Sequence, residues 1–196
     1  MLPLLLATRN AHKTREFAEI LGRKFVITDL NSRREVPPVT ENGATFAENA
    51  ILKAVTTSRL LSGLVVADDS GLEVGALGGA PGVYSARYAR EGAADHENIT
   101  KLLTELRRVS AGKERSARFC CALALARDGE TLALLHGEVS GSISEAPRGT
   151  QGFGYDSVFV PLQMQQTFGE LGSETKNRLS HRARAIVQLR ETLLPC

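Results

Sequence analysis

The sequence predicts an α/β protein in which helices flank a mixed β-sheet. Three features support this fold class. Strand-like and helix-like segments alternate in the N-terminal third, two long apolar runs in the middle are joined by Asp128-Gly129, and a helical pattern closes the chain. Because no internal repeat and no long linker interrupts the sequence, we expect a single domain over residues 1–196.

The first elements follow from apolar spacing and from capping residues. "PLLLAT", residues 3–8, predicts a buried strand, and a helical pattern then runs from Asn10 to Gly22. "KFVITDL", residues 24–30, predicts a second strand, and the polar, proline-containing segment 31–43 predicts a loop. The short apolar start has no basic region before it, so we interpret it as a strand rather than a signal peptide.

A second helix and a third strand come next. Thr45 and Glu48 have the spacing of a capping box, so they predict a helix N-terminus, and the helix is expected to end near Gly63. "LVVAD", residues 64–68, predicts the third strand, which we expect to end at a pair of adjacent aspartates. The glycine-rich segment 75–82 predicts a loop.

The C-terminal half predicts a helix, a hairpin and a closing helix. Asp95 is expected to cap the first of these helices, and residues 117–143 predict a hairpin because an Asp-Gly pair joins two β-like runs. A glycine-rich loop over 149–156 and a short strand over 157–161 precede a helix from about Ser180. The residues expected on the inner face of that helix are Ala183, Ile186, Val187 and Leu189.

Composition excludes several classes of function. The net charge of +2, from 24 basic and 22 acidic residues, is too balanced for a DNA- or membrane-binding surface. Tryptophan is absent and other aromatic residues are few, which disfavours a stacking platform for single-stranded nucleic acid. No apolar run reaches the roughly 20 residues of a membrane helix. The three cysteines, Cys120, Cys121 and Cys196, form no disulfide pattern, so we expect a cytoplasmic protein.

The adjacent Asp68 and Asp69 need a physical explanation, because burial at the end of a core strand disfavours charge. An aspartate that caps a turn would account for one of them and leave the second unexplained. The other interpretation is a magnesium site, since Mg²⁺ prefers carboxylate oxygens and its charge relieves their repulsion. The sequence leaves both interpretations open.

The segment "TRNAHK", residues 8–13, follows a strand and opens a helix. Backbone N–H groups and the helix dipole there, with Thr8, Asn10 and Lys13, would suit a phosphate chain. The alternative is that Asn10 only caps the helix and Lys13 is solvated. Glu41 in the following loop and Lys53 on the next helix are individually unremarkable, because such residues are usually solvated.

Two further stretches could recognise a purine. In "GFGYD", residues 152–156, Phe153 or Tyr155 could stack on a base, or the segment could be a tight loop with a buried aromatic ring. A basic set lies near the start of the last helix and consists of Lys176, His181 and Arg182. Such a set is commonly a solvated surface, but as a group of hydrogen-bond donors it could hold phosphate or the 6-oxo group of a purine.

Five stretches in the same order resemble the inosine/xanthosine triphosphate pyrophosphatases. They are "TRNAHK", "ENGATFAENAILKA", "ADDSGLEVGALGGAPGVYSARYA", "GFGYDSVF" and "SHRARA", and they span almost the whole chain. The resemblance implies an elongated mixed sheet flanked by helices, with two lobes around an active-site cleft, in a homodimer. It also implies hydrolysis of dITP, ITP and XTP to the monophosphate and pyrophosphate, with Mg²⁺ as cofactor.

The resemblance assigns roles to particular residues. The catalytic group is Asp69, Asp68 and Lys53, and the metal ligands are Asp69 and Glu41. The substrate-binding residues are Thr8, Arg9, Asn10, Ala11, His12, Lys13, Ser70, Phe153, Gly154, Tyr155, Asp156, Lys176, His181 and Arg182.

Two positions depart from the family pattern, and two other functions stay open. Thr40 stands where the family often has an acidic residue before Glu41, and Ser157 replaces a common proline. One alternative function is a nucleotide sensor that binds without turnover. The other is a pyrophosphatase for methylated or pyrimidine nucleotides.

Overall fold

The computed structural model describes residues 1–110 and 115–194, so the predicted free Cys196 lies outside the described residues. The chain divides into two compact units, each with its own packing. Unit 1 comprises Met1–Asp69, Cys121–Gly137 and the described chain from Arg182, and unit 2 comprises the described parts of Ser70–Cys120 and Glu138–His181.

The described chain contains strands and helices in alternation. The strands are β1 (Leu2–Leu6), β2 (Phe25–Asp29), β3 (Val65–Val74), β4 (Ser116–Arg127), β5 (Glu130–Ile143) and β6 (Phe159–Pro161). The helices are α1 (Ala11–Leu21), α2 (Phe46–Leu60), α3 (Asp95–Ser110), α4 (Ser173–Leu179) and α5 (His181–Leu193).

The six strands form one sheet in the order β2-β1-β3-β4-β5-β6. Strand β1 pairs in parallel with β2 on one side and with β3 on the other, whereas β5 and β6 pair antiparallel. Parallel pairing suits strands joined by helices, and antiparallel pairing suits a strand that follows a hairpin. The predicted fold class, α/β with a mixed sheet and flanking helices, is therefore confirmed.

The core of unit 1 has two layers because side chains alternate along each strand. Val66 packs with Phe17 of α1 and Ile186 of α5, in a cluster of buried side chains. Its neighbours Val65 and Ala67 pack in a second cluster that includes two alanines of α2. One face of β3 therefore meets α1 and α5, and the other meets α2.

The predicted helix N-termini and the predicted hairpin turn are confirmed. The side chain of Asn10 accepts hydrogen bonds from the first turn of α1, and Thr45 accepts one from Glu48 N at 3.1 Å in α2. At the hairpin, Asp128 and Gly129 have φ values of 52° and 83°, which a two-residue turn of this kind requires. Short-range sequence signals thus determine where these elements begin and turn.

Strand β3 corrects the predicted end of the third strand. It does not stop at Asp68 but continues through Asp69 to Val74, so the two aspartates lie in its middle. The expectation was wrong because a pair of charges breaks an apolar strand only when both must be buried without partners. Here each carboxylate has cationic partners, as described below.

Other differences concern helix ends. Asp95 lies inside the first turn of α3 and does not cap it, since the carboxylate of Glu97 accepts the Ala94 N–H at 2.7 Å instead. Helix α4 was not predicted, because its seven residues carry too little apolar periodicity. Val187 is 38% exposed rather than inward-facing, since it lies on the outer side of α5.

The core of unit 2 is rich in aromatic side chains. Phe119, Phe159 and Phe168 are buried together, and the Phe119 and Phe159 ring centroids lie 4.6 Å apart. Leu102 of α3 packs against this group. None of the helices within residues 1–110 and 115–194 is both long enough and apolar enough to cross a membrane.

Replacement of a core side chain in the hairpin tests this packing. We expect Leu123→Ala, at a fully buried site of β4, to lower the free energy of unfolding by about 2–5 kcal/mol. Leu132→Ala, at a site of β5 that is 52% exposed, is the control and should change it by less than about 1 kcal/mol. Equal losses in urea unfolding would contradict the burial of Leu123.

Candidate functional site

The two aspartates of β3 point to opposite faces of the strand because successive side chains alternate. Asp68 follows Val66 on the face that meets α1 and α5, and Asp69 follows Ala67 on the face that meets α2. Their side chains are 0% and 11% exposed. Although adjacent in sequence, the two carboxylates therefore pair with different cations.

Asp68 is the centre of a buried ionic cluster. Lys13 Nζ donates to its Oδ1 at 2.5 Å, and Arg182 Nε donates to its Oδ2 at 2.7 Å. The thiol of Cys121 lies 3.4 Å from the same Oδ2. Burial alone would raise the pKa of Asp68, but Arg182 and Lys13 hold that pKa well below its usual value. Asp68 is therefore an anion at neutral pH that fixes two cations.

The position of Arg182 differs from the expectation. Its side chain is 2% exposed, and its guanidinium binds Asp68 and, at 2.6 Å, the carboxylate of Glu16. Arg182 belongs to unit 1, whereas Lys176 and His181 belong to unit 2. The structure thus places Arg182 in the ionic cluster that supports the aspartates, and the predicted basic set is not one cluster within a single unit.

Asp69 forms the second cluster, with Lys53 and Glu41. Lys53 Nζ lies 2.8 Å from Asp69 Oδ1, 3.2 Å from Glu41 Oε2 and 3.0 Å from the carbonyl oxygen of Asp68. The pKa of Asp69 is raised to about 6, because burial and the hydrogen bond with Glu41 together outweigh the opposing effect of Lys53. Burial is the largest single effect on Glu41 and raises its pKa, but Lys53, the hydrogen bond with Asp69 and Lys13 together outweigh burial, so the pKa is lowered.

The two carboxylates of this second cluster could hold Mg²⁺. Glu41 and Asp69 are close enough to share a hydrogen bond, and both offer hard oxygen ligands. Within residues 1–110 and 115–194, no group of three or more His, Cys, Asp or Glu side chains is placed to hold a metal. Mg²⁺ commonly takes one or two carboxylates and completes its shell with phosphate and water, so a pair of carboxylates fits it.

In the segment before α1, Asn10 caps the helix as one interpretation predicted, but Lys13 is paired with Asp68 rather than solvated. Asn10 Oδ1 caps the helix by accepting from His12 N at 2.9 Å and Lys13 N at 3.3 Å. Thr8 Oγ1 accepts from Asn10 N at 3.2 Å, and Ala11 begins the helix. The cap engages only the oxygen of the Asn10 amide, and Lys13 reaches Asp68, so the segment joins the aspartate clusters rather than bulk solvent.

Arg9 has a structural contact that the sequence did not predict. Its guanidinium donates to the carbonyl oxygen of Leu30 and, at 2.7 Å, to that of Val36. These bonds attach the loop after β2 to the start of α1. The predicted substrate contact of Arg9 gains no support from this placement.

In unit 2, Asp156 organises the predicted base-binding loop. Its Oδ2 accepts from Phe153 N at 2.8 Å and from Lys176 Nζ at 2.6 Å. The same ammonium lies 4.8 Å from the centre of the Phe153 ring. A side chain at Gly152 would collide with Asp156, since a Cβ there would lie 2.0 Å from its Oδ2. The loop thus brings three of the predicted residues together.

Two other predicted residues are largely packing elements. Tyr155 is 4% exposed, belongs to the core of unit 2 and donates its hydroxyl to the carbonyl oxygen of Ser85 at 2.9 Å. It offers no open face for stacking, whereas Phe153 is half-buried. His181 stacks on Phe119 with ring centroids 4.7 Å apart. Ser70 lies in β3 and is half-buried, as expected for a residue that follows the aspartates.

Sequence reasoning missed one buried residue that binds the loop backbone two positions after Glu41. Asn49 of α2 is fully buried, and its Oδ1 accepts from Gly43 N at 2.8 Å. Gly43 must lack a side chain, since a Cβ would lie 2.7 Å from Glu48 Cβ. A buried asparagine one helical turn before Lys53 was the available signal, because such a residue needs a hydrogen-bond partner.

Comparison with known proteins identifies relatives over the whole chain. A model of the Ham1 family matches residues 4–192. A protein named dITP/XTP pyrophosphatase from Geobacillus kaustophilus is 50% identical over 192 residues, covering 97% of this chain and 94% of the relative. One of the same name from Bacillus subtilis is 44% identical over 194 residues, covering 98% of each. The solved structure of a HAM1 protein from Coxiella burnetii has a TM-score of 0.88 at 40% identity, covering 98% of both chains.

Removal of the Asp68 charge tests its role as an anchor. We expect Asp68→Asn to lower the free energy of unfolding at pH 7 by about 3–5 kcal/mol, because Arg182 is left buried without one of its two carboxylates. Since the folded pKa of Asp68 is depressed, its stabilisation is complete above the unfolded value of about 3.9 and is lost as the pH falls through the folded value. The difference between wild type and variant should therefore shrink below about pH 4.

The control for this measurement is Asp128→Asn in the hairpin turn, where asparagine tolerates the positive φ. Its free energy of unfolding should differ from wild type by less than about 0.5 kcal/mol in urea at pH 7. If Asp68→Asn were equally mild, Asp68 would not be the anchor of the cluster.

Proposed function

This chain belongs to the Ham1 family, and from that premise we propose that it hydrolyses the non-canonical purine nucleotides dITP, ITP and XTP to the monophosphate and pyrophosphate. Such a reaction clears these nucleotides from the pool. The observation that carries the proposal is the cluster of Asp69, Lys53 and Glu41 beside the start of α1, in relatives named for this activity.

The residues of the two clusters have distinct parts in the reaction. Asp69 orients the water that attacks the α-phosphorus, and its raised pKa equips it to accept a proton. Lys53 offers positive charge to the phosphates from beside Asp69. Asp68 holds Lys13 near the amide groups at the start of α1, where a phosphate chain is favoured. Pyrophosphate then leaves on the side of Lys13 and Asn10.

Mg²⁺ is the proposed cofactor, held by Asp69 and Glu41. It would supply charge neutralisation on the phosphates and polarisation of the phosphoryl oxygens. Position 40 is not acidic, but Glu41 itself adjoins Asp69 and would serve as the second carboxylate ligand. We also propose a homodimer in the cytoplasm, which the family resemblance implies and which stays a prediction.

Selectivity is proposed to come from donors that meet the 6-oxo group of the purine. The ammonium of Lys176 has three donors, and Asp156 orients it by taking one of them. A site that hydrogen-bonds an oxygen rejects an amino group strongly, because the donors are then left unpaired. Adenine nucleotides would therefore be poor substrates, and Phe153 would supply the stacking surface for the base.

A substrate panel tests the proposed function. We expect pyrophosphate release from dITP and XTP with a kcat/KM at least about 100-fold above that for dATP, because adenine lacks the 6-oxo acceptor. Activity should vanish with EDTA and return with Mg²⁺. The panel should include dGTP and dUTP. Binding of dITP without release of pyrophosphate would indicate a sensor, and a flat profile or a preference for dUTP would indicate a different pyrophosphatase.

A substitution at Asp69 tests its catalytic part. We expect Asp69→Asn to lower kcat/KM for dITP by at least about 10³-fold, because an amide cannot accept the proton or hold the cation. The melting temperature should change little, since Lys53 keeps Glu41 as a partner. Asp29→Asn is the matched control, a carboxylate of the same unit bound to Thr14 at 2.8 Å, and should keep activity within about twofold. Retained activity in Asp69→Asn would exclude the role proposed here.

A further inference from the structure

We propose that Asp95 and Tyr155 are positioning residues that hold the base-recognition loop, residues 152–156, and thereby set the selectivity of the enzyme between purines. The inference rests on the proposed function in one respect, because it takes this loop to contact the base. Neither residue has to touch the nucleotide. Each acts through the backbone of the loop, at the two positions that follow Phe153.

The first hydrogen bond, here called the first tie, joins the loop to helix α3. Gly154 N donates to Asp95 Oδ2 at 2.6 Å, and Asp95 is the first residue of α3. The acceptor is a carboxylate, so this is a charge-assisted bond and stronger than one between neutral groups. Gly154 has a φ of 60°, so the tie holds the loop in a left-handed conformation that favours glycine.

The second tie joins the loop to strand β3 through Ser85. Tyr155 donates its hydroxyl to the carbonyl oxygen of Ser85 at 2.9 Å. The hydroxyl of Ser85 is itself fixed, because it accepts from Leu72 N at 2.9 Å and donates to the carbonyl oxygen of Gly82 at 2.6 Å. Tyr155 is thus attached to a segment that β3 holds in place.

Contacts within the loop connect these two hydrogen bonds to Phe153 and Lys176, the residues proposed to recognise the base. Phe153 N and Lys176 Nζ both donate to Asp156 Oδ2, so Asp156 links the backbone at 153, next to positions 154 and 155, to the ammonium of Lys176. A shift there would displace the Phe153 ring and also the ammonium that lies 4.8 Å from its centre. The stacking surface of Phe153 and the hydrogen-bond donor of Lys176 would then both be displaced from the base.

Close packing does not hold the loop on its α3 side. A groove of about 510 Å³ separates part of the loop from α3, and its walls include Ile99, Leu103 and Phe153. A segment beside an open groove has room to move, whereas one in a close-packed core does not. The hydrogen bond of Asp95, whose side chain also lines the groove, therefore decides how far the loop stands from the helix.

The test compares dITP with dATP in single variants. We expect Tyr155→Phe and Asp95→Ala each to lower kcat/KM for dITP about tenfold, mainly through a higher KM, since each loses one hydrogen bond that orders the loop. The ratio of kcat/KM for dITP to that for dATP should fall about tenfold as well, because a loosened loop no longer imposes its donors on the base. Asp95→Asn keeps an acceptor oxygen and should restore part of both losses.

Matched controls separate positioning from general stability. Tyr88→Phe removes another phenolic hydroxyl of unit 2, which donates to Glu105 of α3 and not to a residue of the loop. Glu97→Ala removes a carboxylate from the same end of α3, where it accepts from Ala94 N. Both should lower the melting temperature at least as much as the test variants and leave the dITP to dATP ratio within about twofold of wild type.

The outcomes distinguish the two proposals. If the wild-type protein releases no pyrophosphate from dITP, the proposed function fails. If wild type is active and selective but Tyr155→Phe and Asp95→Ala keep its ratio, or if the controls reduce the ratio equally, the positioning role is overturned. A lower ratio in the test variants alone, with partial recovery in Asp95→Asn, supports it.

Discussion

The alternation of side chains along β3 is the constraint on which the rest of unit 1 depends. Because Asp68 and Asp69 point to opposite faces, two adjacent charges need not share one environment. Each face brings its own cations, from α1 and α5 on one side and from α2 on the other. Burial of two neighbouring carboxylates is possible only because these helices supply Lys13, Arg182 and Lys53.

Because of this geometry, Asp68 and Asp69 have different electrostatic environments. Asp68 is fully buried, ionised at neutral pH and bound to two cations, so its contribution is to hold Lys13 and Arg182 in place. Asp69 is less buried and its pKa is raised to about 6, because burial and the hydrogen bond with Glu41 outweigh Lys53, so its charge can respond to a proton near that pH. Identical side chains, one residue apart, thus acquire different properties because the strand presents them to different neighbours.

In unit 2, contacts with distant residues likewise determine the position of a loop. The glycines of residues 152–156 allow the turn, but hydrogen bonds to Asp95 and Ser85 determine where it lies. Tyr155, which the sequence offers as a stacking residue, is part of the core, and Phe153 is the half-buried aromatic ring of the loop. The position of this loop therefore depends on contacts that are distant in the chain, 59 residues for Asp95 and 70 for Ser85.

The sequence by itself determined the local features: the strand and helix periods, the caps at Asn10 and Thr45, the Asp128-Gly129 turn and the residues that match the family. These follow from interactions between near neighbours, which a short window of residues contains. The tertiary structure alone decided that β3 continues past Asp68, that Arg182 binds Asp68 at a separation of 114 residues, and that Arg9 binds the loop after β2. Such contacts depend on which distant side chains share a face of the sheet, and on whether a buried charge finds its partner there.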